Sequence, residues 1–257
     1  MLADMKLGWL DRLHMRHRLW RYRFKSERPS VRYVRERNLQ GQTVIDIGAN
    51  RGVYAYYISK KVGPDGHLFA FEPQPELGSH LAAIRETYGL HNMTIVNQGL
   101  SSSPGTLTMR RPRPGSGRAS VHLSAAAGLE ELEIPVTTLD DFFGAIEHQP
   151  ISFIKCDVED HELEVLRGGE QILSTYMPVL LFECHERQAK NGQLFSYLTG
   201  LGYDGFFFFV RPTDHASLLR NHKGEYVHFS EFANYPYPRP TVTHRNYIFL
   251  REGLRPI

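Results

Sequence analysis

The sequence predicts an α/β protein with an open, mostly parallel sheet of seven strands, an antiparallel last strand and helices on both faces. From Thr43 onward, short apolar runs alternate with helical stretches, and this alternation is typical of βαβ units. Turn residues separate the runs, most clearly Gly63-Pro64-Asp65-Gly66, which suits short connections. A chain of 257 residues is long enough for one such domain with additions.

The predicted strands are apolar or β-rich segments at 44–47, 67–72, 93–98, 151–157, 179–185, 203–210 and 241–250. Helices are predicted at about 53–62, 75–88, 159–173 and 190–201. Residues 106–138 have no regular period and contain PRPGSGR at 112–118. We interpret them as a loop, which is either a lid beside a ligand cleft or an ordinary surface loop.

Residues 1–40 are predicted to form a basic helical arm that precedes a domain of residues 41–257. The first 37 residues hold eleven Lys or Arg against four Asp or Glu. Trp9, Leu13, Trp20 and Phe24 fall near helical spacing. The arm is interpreted as a helix packed on the domain with a solvated basic face, or as an attachment to a membrane surface or an anionic substrate. It carries no recognition motif, so nucleic-acid binding is not expected.

The composition excludes a disordered chain and a disulfide scaffold. Hydrophobic residues make up 41% and charged residues 23%, as in ordinary globular proteins. The two cysteines, Cys156 and Cys184, each lie inside an apolar run, so we predict buried thiols, a reducing compartment and a cytoplasmic location. The sequence has neither an apolar stretch of roughly 18 residues nor a signal peptide, so an integral membrane protein is not expected. The oligomeric state is left open.

The segment VIDIGANRG predicts a ligand-binding turn after the first strand. Asp46 ends the buried strand, and a turn containing Gly48, Asn50 and Gly52 follows. Glycines permit unusual backbone angles and close approach of a ligand. The next helix would present free N–H groups that suit the carboxylate of an amino acid, and Asp46 would accept hydrogen bonds from its amino group.

The second strand supplies Glu72, which is predicted to accept both hydroxyl hydrogens of a ribose. A dinucleotide fingerprint starting at Gly48 would need glycines at Asn50 and Val53. Their absence disfavours a nicotinamide-dependent oxidoreductase and favours S-adenosylmethionine, which joins a zwitterionic amino acid to adenosine. Gln98 and Gly99, after the third strand, are predicted to lie by the adenine.

Charged residues at the ends of the fourth and fifth strands predict the reacting end of the site. The fourth strand ends with Lys155, Asp157 and Glu159, and the fifth with Glu183 and His185. Methyl transfer to an alcohol oxygen requires alignment and removal of the hydroxyl proton.

His185 and Asp157 are the best candidates to receive this proton. Glu183 would orient the histidine or bind substrate hydroxyls, and Lys155 would neutralise a carboxylate. Alternatively, these groups cap the strand ends as a hydrogen-bond network, or the acids and His185 hold a divalent cation. We do not favour a metal, because the spacing fits no compact metal motif.

Several separated motifs, in one order over about residues 43–210, resemble the FkbM family of S-adenosylmethionine-dependent methyltransferases. They are VIDIGANRGVYAYYISKKVGPDGHLFAFEPQPE, VTTLDDFF, IKCDVEDHELEVLRGG and LLFECH. The resemblance implies a Rossmann-like class I methyltransferase fold and O-methylation of a hydroxyl on a sugar, glycan or natural product.

The resemblance also supports the cofactor residues Asp46, Gly48, Asn50, Gly52 and Glu72, and it implies active-site roles for Asp157 and Glu159. Glu183 and His185 match the family's fifth-strand motif. After DVE, however, Asp160 and His161 stand where the family usually has glycine at the first position, and Gly168-Gly169 interrupts a normally regular helix. A catalytically silent module that binds S-adenosylmethionine is the remaining alternative.

Overall fold

The computed structural model describes residues 6–184, 192–210, 224–234 and 246–256, and its centre is an eight-stranded sheet. Its strands are β1 (Thr43–Ile47), β2 (His67–Phe71), β3 (Met93–Val96), β7 (Ile151–Cys156), β8 (Val179–Glu183), β9 (Tyr203–Val210), β10 (Gly224–His228) and β11 (Asn246–Arg251). Their order is β10-β9-β11-β8-β7-β1-β2-β3. A second sheet contains β4 (Gly99–Leu100), β5 (Gly105–Arg111) and β6 (Glu130–Thr137), in the order β4-β6-β5.

Eight α-helices occur in the described parts of the chain. They are α1 (Trp9–Arg21), α2 (Arg28–Glu36), α3 (Val53–Val62), α4 (Pro75–Tyr88), α5 (Leu139–Gly144), α6 (Glu162–Arg167), α7 (Glu170–Tyr176) and α8 (Gln193–Gly200). A π-helical turn over Tyr22–Ser26 joins α1 to α2, and a 3-10 helix covers Phe229–Asn234. None of the helices in these ranges is long and apolar enough to cross a membrane.

Alternate residues of the central strands point to opposite faces of the sheet, as strand geometry requires. Val44 lies in one hydrophobic core with α1 to α4, whereas the next residue, Ile45, lies in a second core with α5 to α8. The predicted α/β fold, an open and mostly parallel sheet with helices on both faces, is therefore confirmed.

The predicted count of seven strands is wrong, because β10 adds an eighth strand at the sheet edge. It pairs antiparallel with β9, and β11 pairs antiparallel with both β8 and β9. The sequence of β10, GEYVH, contains no apolar run, so an edge strand of this kind gives little signal. The last strand, predicted from 241, begins at Asn246 in the described residues.

The interpretation of residues 106–138 as irregular is wrong at both ends, because β5 and β6 form an antiparallel hairpin. Leu107 pairs with Ile134, and charged side chains fill much of the opposite face. Arg110, for example, binds Glu131 at 2.8 Å. Charged cross-strand pairs stabilise a sheet but hide its apolar period in the sequence. Only the segment between these strands is a loop.

The helix predicted at 159–173 is two helices, because the chain breaks at Gly168-Gly169 between α6 and α7. A Cβ atom at Gly168 would lie 2.1 Å from the carbonyl oxygen of Ser101. The glycine therefore permits α6 to approach the end of β4, which any other residue would prevent.

The N-terminal arm packs on the sheet domain. Met15, Leu19, Val31 and Val34 are buried in the same core as α3 and α4. The four residues that suggested an amphipathic stripe in the sequence lie elsewhere on the surface of the arm, and all are exposed: Trp9, Leu13, Trp20 and Phe24. Both cysteines are buried, and burial raises the pKa of the Cys184 thiol to about 12.

Candidate active site

The loop after β1 is shaped by three residues with positive φ: Gly48 (74°), Asn50 (48°) and Gly52 (74°). A Cβ atom at Gly48 would lie 2.0 Å from the carbonyl oxygen of Asp157, so only glycine allows the ends of β1 and β7 to approach so closely. The amides of Gly48 and Ala49 donate to the Phe71 carbonyl. The loop therefore rests against both neighbouring strands.

Glu72, at the end of β2, joins this loop to the next one. Its carboxylate accepts the backbone N–H of Asn50 at 2.9 Å and that of Gln74 at 3.0 Å. The side chain is buried, and burial raises its pKa to about 7, although the two amide hydrogen bonds act in the opposite direction. Each carboxylate oxygen keeps a lone pair for a further donor.

Asp46 is fully buried, and neither of its carboxylate oxygens makes a hydrogen bond in the described part of the chain. Its closest cation is the Lys155 ammonium, 4.0 Å from Oδ1. Burial raises the pKa of Asp46 to about 6, and Asp157 raises it further, whereas Lys155 lowers it. A buried carboxylate without hydrogen bonds is costly, so Asp46 is suited to receive a ligand cation.

Lys155 occupies the centre of the site. Its Nζ donates to Asp157 Oδ2 at 3.0 Å and lies 4.9 Å from the centroid of the Tyr54 ring. Burial lowers the pKa of Lys155, but the carboxylates of Asp157 and Asp46 raise it by more, so the net shift is upward. The ammonium therefore stays charged and neutralises Asp157.

Glu159 and Asp160 follow β7 in a left-handed conformation, with φ of 53° and 78°. Asp160 therefore has a backbone conformation that favours glycine. Burial raises the pKa of Glu159 to about 7, and the charges of Asp157 and Glu183 add to the effect.

Glu27, from the N-terminal arm, enters the same group of carboxylates. It accepts hydrogen bonds from Asn246 Nδ2 at 2.9 Å and from the Tyr54 hydroxyl at 3.3 Å. Asn246 stands opposite Glu183 in the pairing of β11 with β8. Burial raises the pKa of Glu27 to about 7, and the charges of Glu183 and Asp157 contribute to this rise.

The sequence analysis missed Glu27, because a glutamate at the start of a helix is an ordinary helix-capping acid. Its nearest signal is indirect: Glu27 is the only acid between Arg12 and Arg35 in a strongly basic segment. The structure thus brings Glu27, Asp157, Glu159 and Glu183 into one group of interacting carboxylates, with Lys155 paired to Asp157.

A cavity lies at the carboxyl ends of β1 and β2. Gln98 and Gly99 line it, as do the apolar side chains of Ile47, Phe71 and Val136. Part of its wall thus comes from β6, in the region that the sequence suggested was irregular.

His161, the residue before α6, also lines this cavity. Its Nε2 is 3.0 Å from Ser101 Oγ, and its Nδ1 is 3.1 Å from His122 Nε2. Burial lowers its pKa to about 4, helped by the charge of His122. The imidazole is therefore neutral at physiological pH.

The loop between β5 and β6 covers the outer side of the site. The Arg51 guanidinium donates to the Gly115 carbonyl at 3.1 Å, and the Gln74 side-chain amide donates to the Ser116 carbonyl at 3.1 Å. Ser120 donates through its hydroxyl to the Glu159 carbonyl at 2.7 Å. The loop is therefore attached to the ends of β1, β2 and β7.

One predicted catalytic residue, His185, lies outside the described residues. In the ranges that the structure describes, no three His, Cys, Asp or Glu side chains form a group that could hold a metal ion. The other predicted site residues lie along the carboxyl edge of β1, β2, β7 and β8, or in the adjoining cavity.

Comparison with known proteins shows which family the chain matches. The family model described as the methyltransferase FkbM domain matches residues 46–204. The hexuronic acid methyltransferase AglP of Haloferax volcanii is 29% identical over 160 residues, which cover 61% of this chain and 62% of AglP. The methyltransferase sdnD of Sordaria araneosa is 26% identical over 192 residues, covering 63% of this chain and 73% of sdnD.

Among solved structures, the methyltransferase FkbM of Methylobacillus flagellatus aligns with a TM-score of 0.47 and 18% identity. The alignment covers 67% of this chain and 40% of that one. The fibrillarin of Aeropyrum pernix with bound S-adenosyl-L-methionine aligns with a TM-score of 0.44 and 10% identity, covering 87% and 74%.

Proposed function

Because the chain belongs to the FkbM methyltransferase family, whose members depend on S-adenosylmethionine, we propose that it methylates a hydroxyl oxygen of a sugar, glycan or natural-product acceptor. The observation that carries this proposal is the group of partly buried carboxylates beside the ion pair of Lys155 with Asp157. Membership of this family sets the nicotinamide-dependent oxidoreductase aside. In this proposal, residues 41–257 form the catalytic domain and residues 1–40 form an arm attached to it.

The residues at the ends of β1 and β2 fit the cofactor. Asp46 would accept the ammonium of the methionine part, since its carboxylate is buried without a hydrogen bond. Glu72 would bind the ribose hydroxyls through its remaining lone pairs. Gly48, Asn50 and Gly52 would leave the backbone open to the ligand.

We assign the adenine of the cofactor to the cavity beside β2. Gln98 and Gly99 lie in its wall among apolar side chains, and a flat aromatic base is bound by apolar contacts with a few polar groups that orient it. His161, neutral and hydrogen-bonded to Ser101, adds a polar group to that wall.

The carboxylates would prepare the acceptor hydroxyl. Bound S-adenosylmethionine supplies an electrophilic methyl group on a cationic sulfur, so the protein must align the acceptor oxygen and take its proton. Glu27 and Glu159, with pKa values raised to about 7, are matched to accept a proton near neutral pH. Asp157, paired with Lys155, would bind and orient the hydroxyl group.

Two residues at the end of β8 complete the proposal. Glu183 would bind a second hydroxyl of the acceptor or orient His185. His185 remains a predicted proton acceptor on the strength of the sequence motif. A sugar acceptor is supported by the relative AglP, which acts on a hexuronic acid by its name.

The cofactor half of the proposal is tested by calorimetric titration with S-adenosylmethionine. Replacing Asp46 with asparagine removes a charged hydrogen bond, worth about 1.5–3 kcal/mol, so we expect affinity to fall by about 10- to 100-fold. Asp65→Asn is the matched control, because Asp65 is exposed in the turn before β2, and its affinity should equal that of the wild type. A wild-type protein that binds no S-adenosylmethionine contradicts the proposal.

The acceptor half is tested by transfer of a labelled methyl group to glycans that contain hexuronic acid and to neutral glycans. We expect product with at least one of them and none with the Asp157→Ala variant. Cofactor binding without transfer to any acceptor would instead favour the catalytically silent module.

A further inference from the structure

The exposed face of α1 carries an unusual share of the large apolar side chains on the surface. Of eight such exposed residues in the described part of the chain, five lie between Trp9 and Phe24. They are Trp9, Leu10, Leu13, Trp20 and Phe24, and we call them the tryptophan face. Contiguous exposed apolar groups of this kind mark a binding surface more often than isolated ones do.

The helix geometry separates this face from the side that holds the arm on the domain. With roughly 100° between successive residues, Trp9, Leu13 and Trp20 lie within about 40° of one another around the axis of α1. Met15 and Leu19 project from another side of the helix and are buried in the core. The tryptophan face is therefore not needed to attach α1 to the protein.

The face continues past the end of α1 into the π-helical turn. The rings of Trp20 and Phe24 lie 6.1 Å apart between centroids. Lys25 Nζ is 5.0 Å from the centroid of Trp20, and the guanidinium carbon of Arg23 is 4.8 Å from that of Phe24. The aromatic groups are thus flanked by cations.

The positive charges around the tryptophan face indicate which kind of partner it binds. Arg12, Arg16, Arg21, Arg23 and Lys25 are all exposed, against a single exposed acid in this segment, Asp11. A two-fold contact between copies of the chain would bring the same cations face to face, because such an interface pairs each patch with itself. An anionic lipid surface attracts them, and tryptophan side chains favour the boundary between lipid and water.

We propose that the tryptophan face binds the surface of an anionic phospholipid bilayer, with α1 lying in the plane of the interface. The apolar side chains enter the boundary between headgroups and acyl chains, while the arginines and lysine stay among the lipid phosphates. The contact is reversible and weakens as salt screens the charges.

Intrinsic fluorescence tests this directly, because the two tryptophans of the chain, Trp9 and Trp20, both belong to the face. The full chain is mixed with vesicles of phosphatidylcholine alone and with vesicles that also contain phosphatidylglycerol. We expect a blue shift of the emission, and sedimentation of the protein with the vesicles, only where phosphatidylglycerol is present. Added salt should reverse both effects.

Two variants separate the apolar and the charged contributions while keeping both tryptophans. Leu10→Gln/Leu13→Gln should weaken binding at least tenfold. Arg16→Gln/Arg23→Gln should weaken it by about 30-fold, since each cation near an anionic membrane contributes about 1 kcal/mol. Leu254→Gln, at an exposed leucine outside the face, is the control and should bind like the wild type.

Three results would overturn the proposal. The first is no binding to vesicles that contain phosphatidylglycerol, and the second is binding that both double variants retain. The third is self-association in sedimentation velocity, without vesicle binding, that Leu10→Gln/Leu13→Gln abolishes. That outcome would make the face a contact between copies of the chain.

Discussion

Replacing Glu27 with glutamine is expected to make the protein more stable than the wild type at pH 8 and to change its stability much less at pH 5. Glu27 is held between Asn246 and Tyr54, and it faces the charges of Glu183 and Asp157. Burial and these two carboxylates oppose its ionisation, and the lysine beside Asp157 offsets them only in part. Glutamine resembles the protonated side chain and carries no charge to bury.

The direction and size of the effect come from the raised pKa. The ordinary pKa of 4.5 rises to about 7 in the folded protein, so the unfolded chain loses this proton first as pH rises. Stability therefore falls between about pH 4.5 and pH 7. A tenfold difference in proton affinity corresponds to about 1.4 kcal/mol, so the ionised Glu27 costs on the order of 3 kcal/mol above pH 7.

The assay is the free energy of unfolding in urea, measured for wild type and Glu27→Gln at pH 5 and pH 8. The advantage of the variant should grow by on the order of 2 kcal/mol between these two pH values. Glu36→Gln is the control, because Glu36 is exposed in the same arm and pairs with Arg32 at 2.8 Å; its effect should stay within about 0.5 kcal/mol at both pH values. A Glu27→Gln variant less stable than wild type at pH 8 would refute the reasoning and show that the ionised carboxylate is stabilised where it lies.

Three further outcomes are expected. Gly48→Ala should lower the free energy of unfolding by about 3 kcal/mol, because the added Cβ would collide with the Asp157 carbonyl. The control Gly144→Ala, with no atom within 4 Å of the added carbon, should be neutral or slightly stabilising. Equal losses of stability in the two variants would contradict this account. Asp160→Gly should be more stable than Asp160→Ala by about 1 kcal/mol in urea unfolding. Both variants lack the carboxylate, but only glycine adopts a φ of 78° without strain. An alanine variant of equal stability would exclude backbone strain at this position. The initial rate of methyl transfer should rise with pH through about 7, since Glu159 must be ionised to accept a proton. A rate that falls over this range would exclude a carboxylate as the general base.

Much of the site follows from local sequence, because parallel strands that are neighbours in a sheet end at the same edge. Asp46 pairs with Lys155 in the register of β1 and β7, so strand pairing alone brings together charged residues that are far apart in the sequence. The same reasoning placed Glu72 and Gly99 beside that edge. The roles assigned to these residues remain predictions for the cofactor titration to test.

Other features gave no usable signal in the sequence. The hairpin of β5 and β6 exposes charged residues such as Glu131 on one face, which conceals its period, and β10 is a short edge strand without an apolar run. The strand count and the second sheet were therefore missed. Asp160 was recognised as a departure, but only its φ shows that the backbone kept the glycine conformation.

Residues close together in the chain are enough to predict the α/β class, the order of the main strands and helices, and the turn after β1. Which distant groups meet depends on how these elements pack. Glu27 contacts Asn246 across 219 positions of the sequence, and its altered acidity arises from burial among carboxylates of β7 and β8. The exposure of the tryptophan face also depends on packing. Because α1 buries the side that carries Met15 and Leu19, Trp9 and Trp20 are exposed to solvent.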